Sequence, residues 1–167
     1  ECYREGRTIE EATFDLVHRL FGEFGLLIIL PDSKELKAEF AGIVSKELKD
    51  NFSHKAVDKA MAVFPAEYKV QAAGRDINLF YLENDSRERI EREGDGFVLA
   101  DSKRVFSETE LQNELKAHPE KFSPNVILRP VFQEMILPDI VFIGGGAEIA
   151  YWLELKNVFE EAKAFFP

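Results

Sequence analysis

Three consecutive glycines, Gly144-Gly145-Gly146, followed within two helical turns by Glu148 and Tyr151, are the strongest local signal for chemistry in this chain. They follow the apolar run Ile140-Val141-Phe142-Ile143, so the order reads strand, glycine turn, helix. In an open α/β sheet, ligands lie beyond the carboxyl ends of the strands, where a helix N-terminus offers free N–H groups to an anion. Glu148 and Tyr151, three residues apart, share a side of that helix and can both face a ligand. The same glycines also suit a plain strand-to-helix turn, and Glu148 suits a plain helix-start charge, so both readings stand. A nicotinamide site is rejected: Ile149 occupies the place of the third fingerprint glycine, and no acidic partner follows about 20 residues on.

The second concentration is Ser123-Pro124-Asn125 through Arg129-Pro130 to Gln133-Glu134. Pro130 disfavours the helical region for the residue before it, which predicts an extended Arg129 aimed out of an apolar stretch. Such a guanidinium can grip a carboxylate bidentately, or close an internal salt bridge with one of the 31 acidic side chains. Other centres are not recognised. His18, His54 and His118 are too scattered for a metal, Cys2 is a poor nucleophile candidate, and there is neither a serine elbow nor a phosphate loop.

The elements that must hold these residues read as α/β. A Thr8-x-x-Glu11 capping box opens a helix to about Glu23, with Phe14, Val17, Leu20 and Phe21 on one stripe. Leu26 to Leu30 is a continuous apolar run, expected of an interior parallel strand. Asp32 or Ser33 caps a helix to about Lys49, with Leu36, Phe40, Ile43, Val44 and Leu48 inward, and a third helix runs from near Ser53 to Phe64-Pro65. From Tyr68 to Phe106 alternation and turn residues (Ala73-Gly74, Asn84-Asp85, Gly94-Asp95-Gly96) predict an antiparallel meander, with Glu83 to Glu93 as its solvated face. A Ser107–Glu110 capping box then starts a helix to about His118-Pro119, Pro130 opens a short helix that Pro138 stops, and a long helix runs from Ala147 to about Phe165. The expected organisation is core segment 1–67, inserted β-rich connecting subdomain 68–106, and core segment 107–167.

Composition sets the partners. A net charge of −10 repels phosphate backbones and anionic membranes, so nucleic acid and membrane are not expected. One cysteine fits a reducing cytoplasm, and no apolar run approaches the roughly 20 residues of a membrane helix. Glu1 at one end and Phe165-Phe166-Pro167 at the other suggest a fragment of a longer protein.

With the motifs in view, the chain resembles the bacillithiol-biosynthesis cysteine-adding enzymes from Thr8 to Phe159. The specific stretches are Arg75-Asp76-Ile77-Asn78-Leu79-Phe80-Tyr81-Leu82, Phe122 through Pro130, and Phe142 through Trp152. The resemblance implies a doubly wound, Rossmann-like parallel sheet with a small antiparallel insertion, and a dimerising coiled-coil arm that lies outside this chain. It implies amide formation between the carboxyl of L-cysteine and the amine of glucosaminyl malate, with a nucleotide such as ATP as the usual kind of carboxyl activator. Gly146 and Ala147 stand where proline and glycine are common in the family, a change in loop stiffness that keeps an anion-binding turn. The implied site residues are Asn125, Arg129, Gly144, Gly145, Gly146, Glu148 and Tyr151. A non-catalytic scaffold that uses the same residues for interdomain packing is the alternative.

Overall fold

A computed structural model describes residues 2–65, 67, 70–71 and 74–167. The chain divides into two compact units, Glu1–Pro31 and Asp32–Pro167. The first is built on α1 (Ile9–Phe21), whose capping box forms as the sequence predicts: Thr8 Oγ1 accepts from the Glu11 N–H while the Glu11 carboxylate accepts from the Thr8 N–H. A single 3₁₀ turn, Gly22–Phe24, follows, and Gly25 leaves it in the left-handed conformation at φ 79°. Only a residue without Cβ takes that conformation cheaply.

The second unit starts with α2 (Lys34–Asp50), capped by Ser33 Oγ, and α3 (Phe52–Met61). A left-handed Asn51 at the joint turns the chain between them. Then come β1 (Leu79–Glu83), β2 (Ser86–Glu93), β3 (Gly96–Leu99) and β4 (Val105–Ser107), the last leading through the expected Ser107–Glu110 capping box into α4 (Glu108–Ala117). After a 3₁₀ turn, β5 (Phe122–Pro124) adds a fifth strand, and α5 (Arg129–Ile136), α6 (Gly146–Glu154) and α7 (Lys156–Ala162) complete the unit.

The sheet order is β4-β3-β2-β1-β5, and every pairing is antiparallel. Alternation sets the buried face. On β1, Leu79 and Tyr81 point inward, and Phe97 and Leu99 do so on β3. They meet Phe40, Val44 and Leu48 of α2, Leu111 and Leu115 of α4, and Val158 and Phe159 of α7 in one continuous core. Burying each of the large side chains contributes roughly 1.5–3 kcal/mol.

The sequence expectations fail where an apolar run was read as a strand. Leu26 to Leu30 and Ile140 to Ile143 are both irregular, and among the described residues neither has a strand partner. Leu27 is 78% exposed, while Ile140 and Ile143 are each 91% exposed. An apolar run encodes a need for cover, but a strand also needs a neighbouring strand to receive its N–H and C=O groups. The parallel sheet is therefore not seen, and the sheet that is present is the antiparallel one. Tyr68 and Ala72 of the expected alternation, with Ala73 of the turn signal, lie outside the described residues. The long C-terminal helix is also divided: Leu155, at φ −92° and ψ 1°, separates α6 from α7, and Leu155, Val158 and Phe159 then reach the core.

Candidate functional site

The neighbourhood of Arg129 is assembled by a buried polar network. Glu47, on the inner face of α2, accepts from the Ser53 N–H at 3.1 Å, the Ser53 hydroxyl at 2.7 Å and the Asn78 N–H at 2.9 Å. Asn78 in turn donates to Ser53 Oγ, and its Oδ1 accepts from the Asn125 carboxamide at 2.7 Å. Asn125 completes the chain by accepting from the Ile127 N–H at 2.8 Å, while its backbone carbonyl receives the Arg129 N–H at 2.9 Å. Glu47, Ser53 and Asn78 are fully buried, so each lost partner would strand a polar group away from water. Asn125 thus fixes the start of α5, and its carboxamide is engaged at both ends.

Arg129 is the first residue of α5, with Pro130 second. The expectation of an extended arginine is corrected. The turn closed by Asn125 O and the helical bond from the Phe132 N–H to Leu128 O outweigh the crowding that proline imposes on its predecessor. Its guanidinium is exposed, and among the described residues no carboxylate lies within ion-pair distance of it. It is not, then, the buried half of a structural salt bridge.

The structure brings three further groups into electrostatic reach of Arg129: Lys37 of α2, Arg87 of β2 and Tyr151 of α6. Lys37 is buried, and burial pushes its ammonium below the ordinary lysine range, with Arg129 and Arg87 adding to the effect and Asp32 opposing it. Burial likewise lowers Arg87, and Arg129 lowers it further. Tyr151 is raised, first by burial; Glu148 pushes the same way and Arg129 pulls against it. Tyr151 therefore feels Arg129 on one hand and Glu148 on the other.

At the glycine turn, Gly145 is the residue before α6, Gly146 is the first helical residue, and none of the three glycines has a positive φ. Their role is space. A Cβ on Gly144 would sit 2.6 Å from the Phe142 ring and 3.2 Å from Glu148 Oε2, while Gly145 and Gly146 face open space. Phe142 stacks on Trp152 with centroids 3.9 Å apart, which holds the turn against its own helix. Glu148 is exposed.

Sequence reasoning missed Lys37 and Arg87. Lys37 was visible in principle, because it stands three residues before Phe40 on the stripe that α2 buries, where a charge is anomalous. Arg87 carried no signal, since it lies in a charged strand that alternation reads as solvated.

These features define the class: an α/β domain with a basic rim at the sheet edge and a glycine-led helix in the same unit. Comparison with known proteins gives the particular family. Residues 1–167 match the family described as bacillithiol biosynthesis BshC, N-terminal Rossmann-like domain, and the chain belongs to that family. Among relatives named as candidate cysteine ligases BshC, that of Cytophaga hutchinsonii is 42% identical over 168 residues, covering 100% of this chain and 32% of the relative. The Flavobacterium johnsoniae protein is 45% identical over 167 residues, covering 100% and 31%, and the Salinibacter ruber protein is 33% identical over 169 residues, covering 99% and 31%. The chain spans about a third of the length of these relatives.

Proposed function

We propose that this chain supplies part of an amide-forming ligase that joins the carboxyl of L-cysteine to the amine of glucosaminyl malate. The observation that carries the reading is the family match over the whole chain. In the reaction, the amine nitrogen attacks the activated cysteine carboxyl carbon; a C–N bond forms, the activating group leaves with its electron pair, and the amine loses a proton. Arg129 and the turn at Gly144, Gly145 and Gly146 hold the acidic part of the substrate, and Glu148 and Tyr151 orient the amine. Asn125 acts as a positioning residue for Arg129. An exposed guanidinium with no carboxylate at ion-pair distance among the described residues supports this assignment.

In the whole protein, Leu26 to Leu30 and Ile140 to Ile143 become strands of the parallel, doubly wound sheet when other segments pair with them. Their apolar character and exposure support that, as does the greater length of the relatives. The stretch 68–106 serves as a connecting subdomain between core segments 1–67 and 107–167, supported by β1 to β4 falling within or next to it. The full protein works in the cytoplasm as a homodimer, and this chain alone is inactive. Among the described residues no helix is long and apolar enough to cross a membrane.

One observation favours a second reading, a scaffold without a catalytic part: the carboxamide of Asn125 is spent on Asn78 and Ile127. A ligation assay on the full-length protein with L-cysteine, glucosaminyl malate and varied nucleotides separates the two. The ligase reading expects amide product and, in Arg129→Ala, a KM for glucosaminyl malate raised about tenfold. Absence of product with every nucleotide, or an unchanged KM in a folded variant, supports the scaffold.

A further inference from the structure

β5 is an edge strand of the sheet, and two cations from different elements are tied to it. Lys37, reaching in from α2, donates to the Phe122 carbonyl at 2.8 Å; Arg87, reaching over from β2, donates to the Pro124 carbonyl at 3.4 Å. The two carbonyls are two residues apart on one strand, about 7 Å along it. The Arg87 guanidinium also sits over the Phe80 ring, its centre 3.6 Å from the ring centroid, which limits its freedom. The chain leaves β5 through Asn125, whose bonds to Asn78 and Ile127 set where α5 begins, and α5 begins with Arg129. Lys37 and Arg87 are thus both held on β5, and each feels the charge of Arg129. Among the described residues the carboxylate that pairs with Lys37 and acts on Arg87 is Asp32, 3.2 Å from Lys37 Nζ and 60% exposed.

The imbalance is informative in a chain with 31 acidic and 21 basic residues. Carboxylates were available in excess, and elsewhere they are used: Lys121, with Glu114 at 2.8 Å and Glu83 at 3.0 Å, has two. Three like charges near one another, one of them buried, oppose folding unless something offsets them. Planar guanidiniums suit oxygen pairs, and three cations with one carboxylate among the described residues leave a surplus of two positive charges.

We propose that Lys37, Arg87 and Arg129 form a binding site for a dianionic oxygen ligand, either a small dicarboxylate or a phosphate group. The site rests on the ligase reading in that it shares Arg129 with it, and it gives the acidic ligand two further partners.

The test is calorimetric titration of the full-length protein at low ionic strength with L-malate and, separately, with inorganic phosphate. It is repeated in Arg87→Gln and Arg129→Gln, with thermal melts to confirm folding. Rim arginines are chosen because Lys37→Met alters the interior. Wild-type protein should bind at least one of the two anions, and each substitution should weaken that binding about tenfold or more. Binding of malate alone assigns a dicarboxylate, binding of phosphate alone assigns a phosphate group, and binding of both assigns a shared oxyanion site. No binding of either anion overturns the proposal, the charges then being met by another part of the longer protein. An effect confined to one arginine, or to neither, overturns it as well. Ligation that persists while anion binding is insensitive to both substitutions sinks this site and leaves the ligase reading intact. Variant-sensitive anion binding in a protein that makes no amide does the reverse.

Discussion

Two polar clusters meet the chain at β5 and the residue after it, and they are built on opposite principles. In the Glu47–Ser53–Asn78–Asn125 cluster each member has partners within hydrogen-bond distance, and the first three members are fully buried. In the Lys37–Arg87–Arg129 cluster, like charges approach one another, and two of the three side chains are exposed. A closed hydrogen-bond set fixes geometry and has nothing left to offer a ligand. An unbalanced charge set weakens the fold unless something outside it answers, so it is the better place to look for a ligand. Asn125 belongs to the first kind although its neighbour in the chain, Arg129, belongs to the second.

The largest expected effect breaks the closed cluster. Glu47→Ala leaves the Ser53 N–H, the Ser53 hydroxyl and the Asn78 N–H without their acceptor in a buried site. The expected loss in denaturant unfolding is roughly 3 kcal/mol or more. Asn125→Ala removes one donor to Asn78 and the acceptor for the Ile127 N–H, and should cost about 1–3 kcal/mol. A change below about 0.5 kcal/mol in both variants would mean that the network is dispensable, and the contrast between the clusters would fail.

A second contrast lies between two lysines and is read from pH. Lys37 is depressed below its ordinary value by burial, so below 10.5 there is a range in which the unfolded chain binds the extra proton; stability rises with pH as the folded group deprotonates, until the unfolded lysine also does so near 10.5. Lys121 is raised, by hydrogen bonds to Glu114 and Glu83 above all. Its contribution is complete below 10.5 and is lost as pH climbs through the higher folded value. Denaturant unfolding between neutral and strongly alkaline pH should therefore lose its upward limb in Lys37→Met and part of its downward limb in Lys121→Met. Identical profiles for the two variants would show that their environments do not differ in the way described.

How much of this was legible follows the same division. Local rules worked where the information is local: both capping boxes, the Ser33 cap and the hairpins appear within a few residues of where Thr8, Ser107, Ser33 and Asn84-Asp85 place them. The parallel strands failed because Leu26 to Leu30 and Ile140 to Ile143 declare a need for cover without naming the partner. Arg129 was found as a residue and misjudged in conformation, since the turn its N–H closes on Asn125 O is anchored by the bond from the Asn125 carboxamide to Asn78, a residue far away in sequence. Arg87 meets Lys37 and Arg129 only once β2, α2 and α5 are packed, and no spacing in the sequence could show that. Lys37 and Glu47, charged residues on the stripe that α2 buries, were the overlooked clue: one anchors each cluster.

The smallest effect sharpens the contrast most, because it alters charge and little else. Asp32 is largely exposed, and its carboxylate pairs with Lys37 while also acting on Arg87. Lys37 is buried but Asp32 lies largely in water, which screens the pair, so Asp32→Asn should cost no more than about 1 kcal/mol. Its effect on the basic rim has a definite sign, since the substitution removes the negative charge that offsets the cations. Anion affinity, measured with malate or phosphate on the full-length protein, should rise by up to about fivefold, equivalent to the same limit of about 1 kcal/mol. That gain should shrink as salt is added and the Debye length falls below the spacing of the charges. A purely structural basic cluster predicts the opposite pattern: a larger loss of stability from the missing partner of Lys37, and no gain in anion binding at any ionic strength.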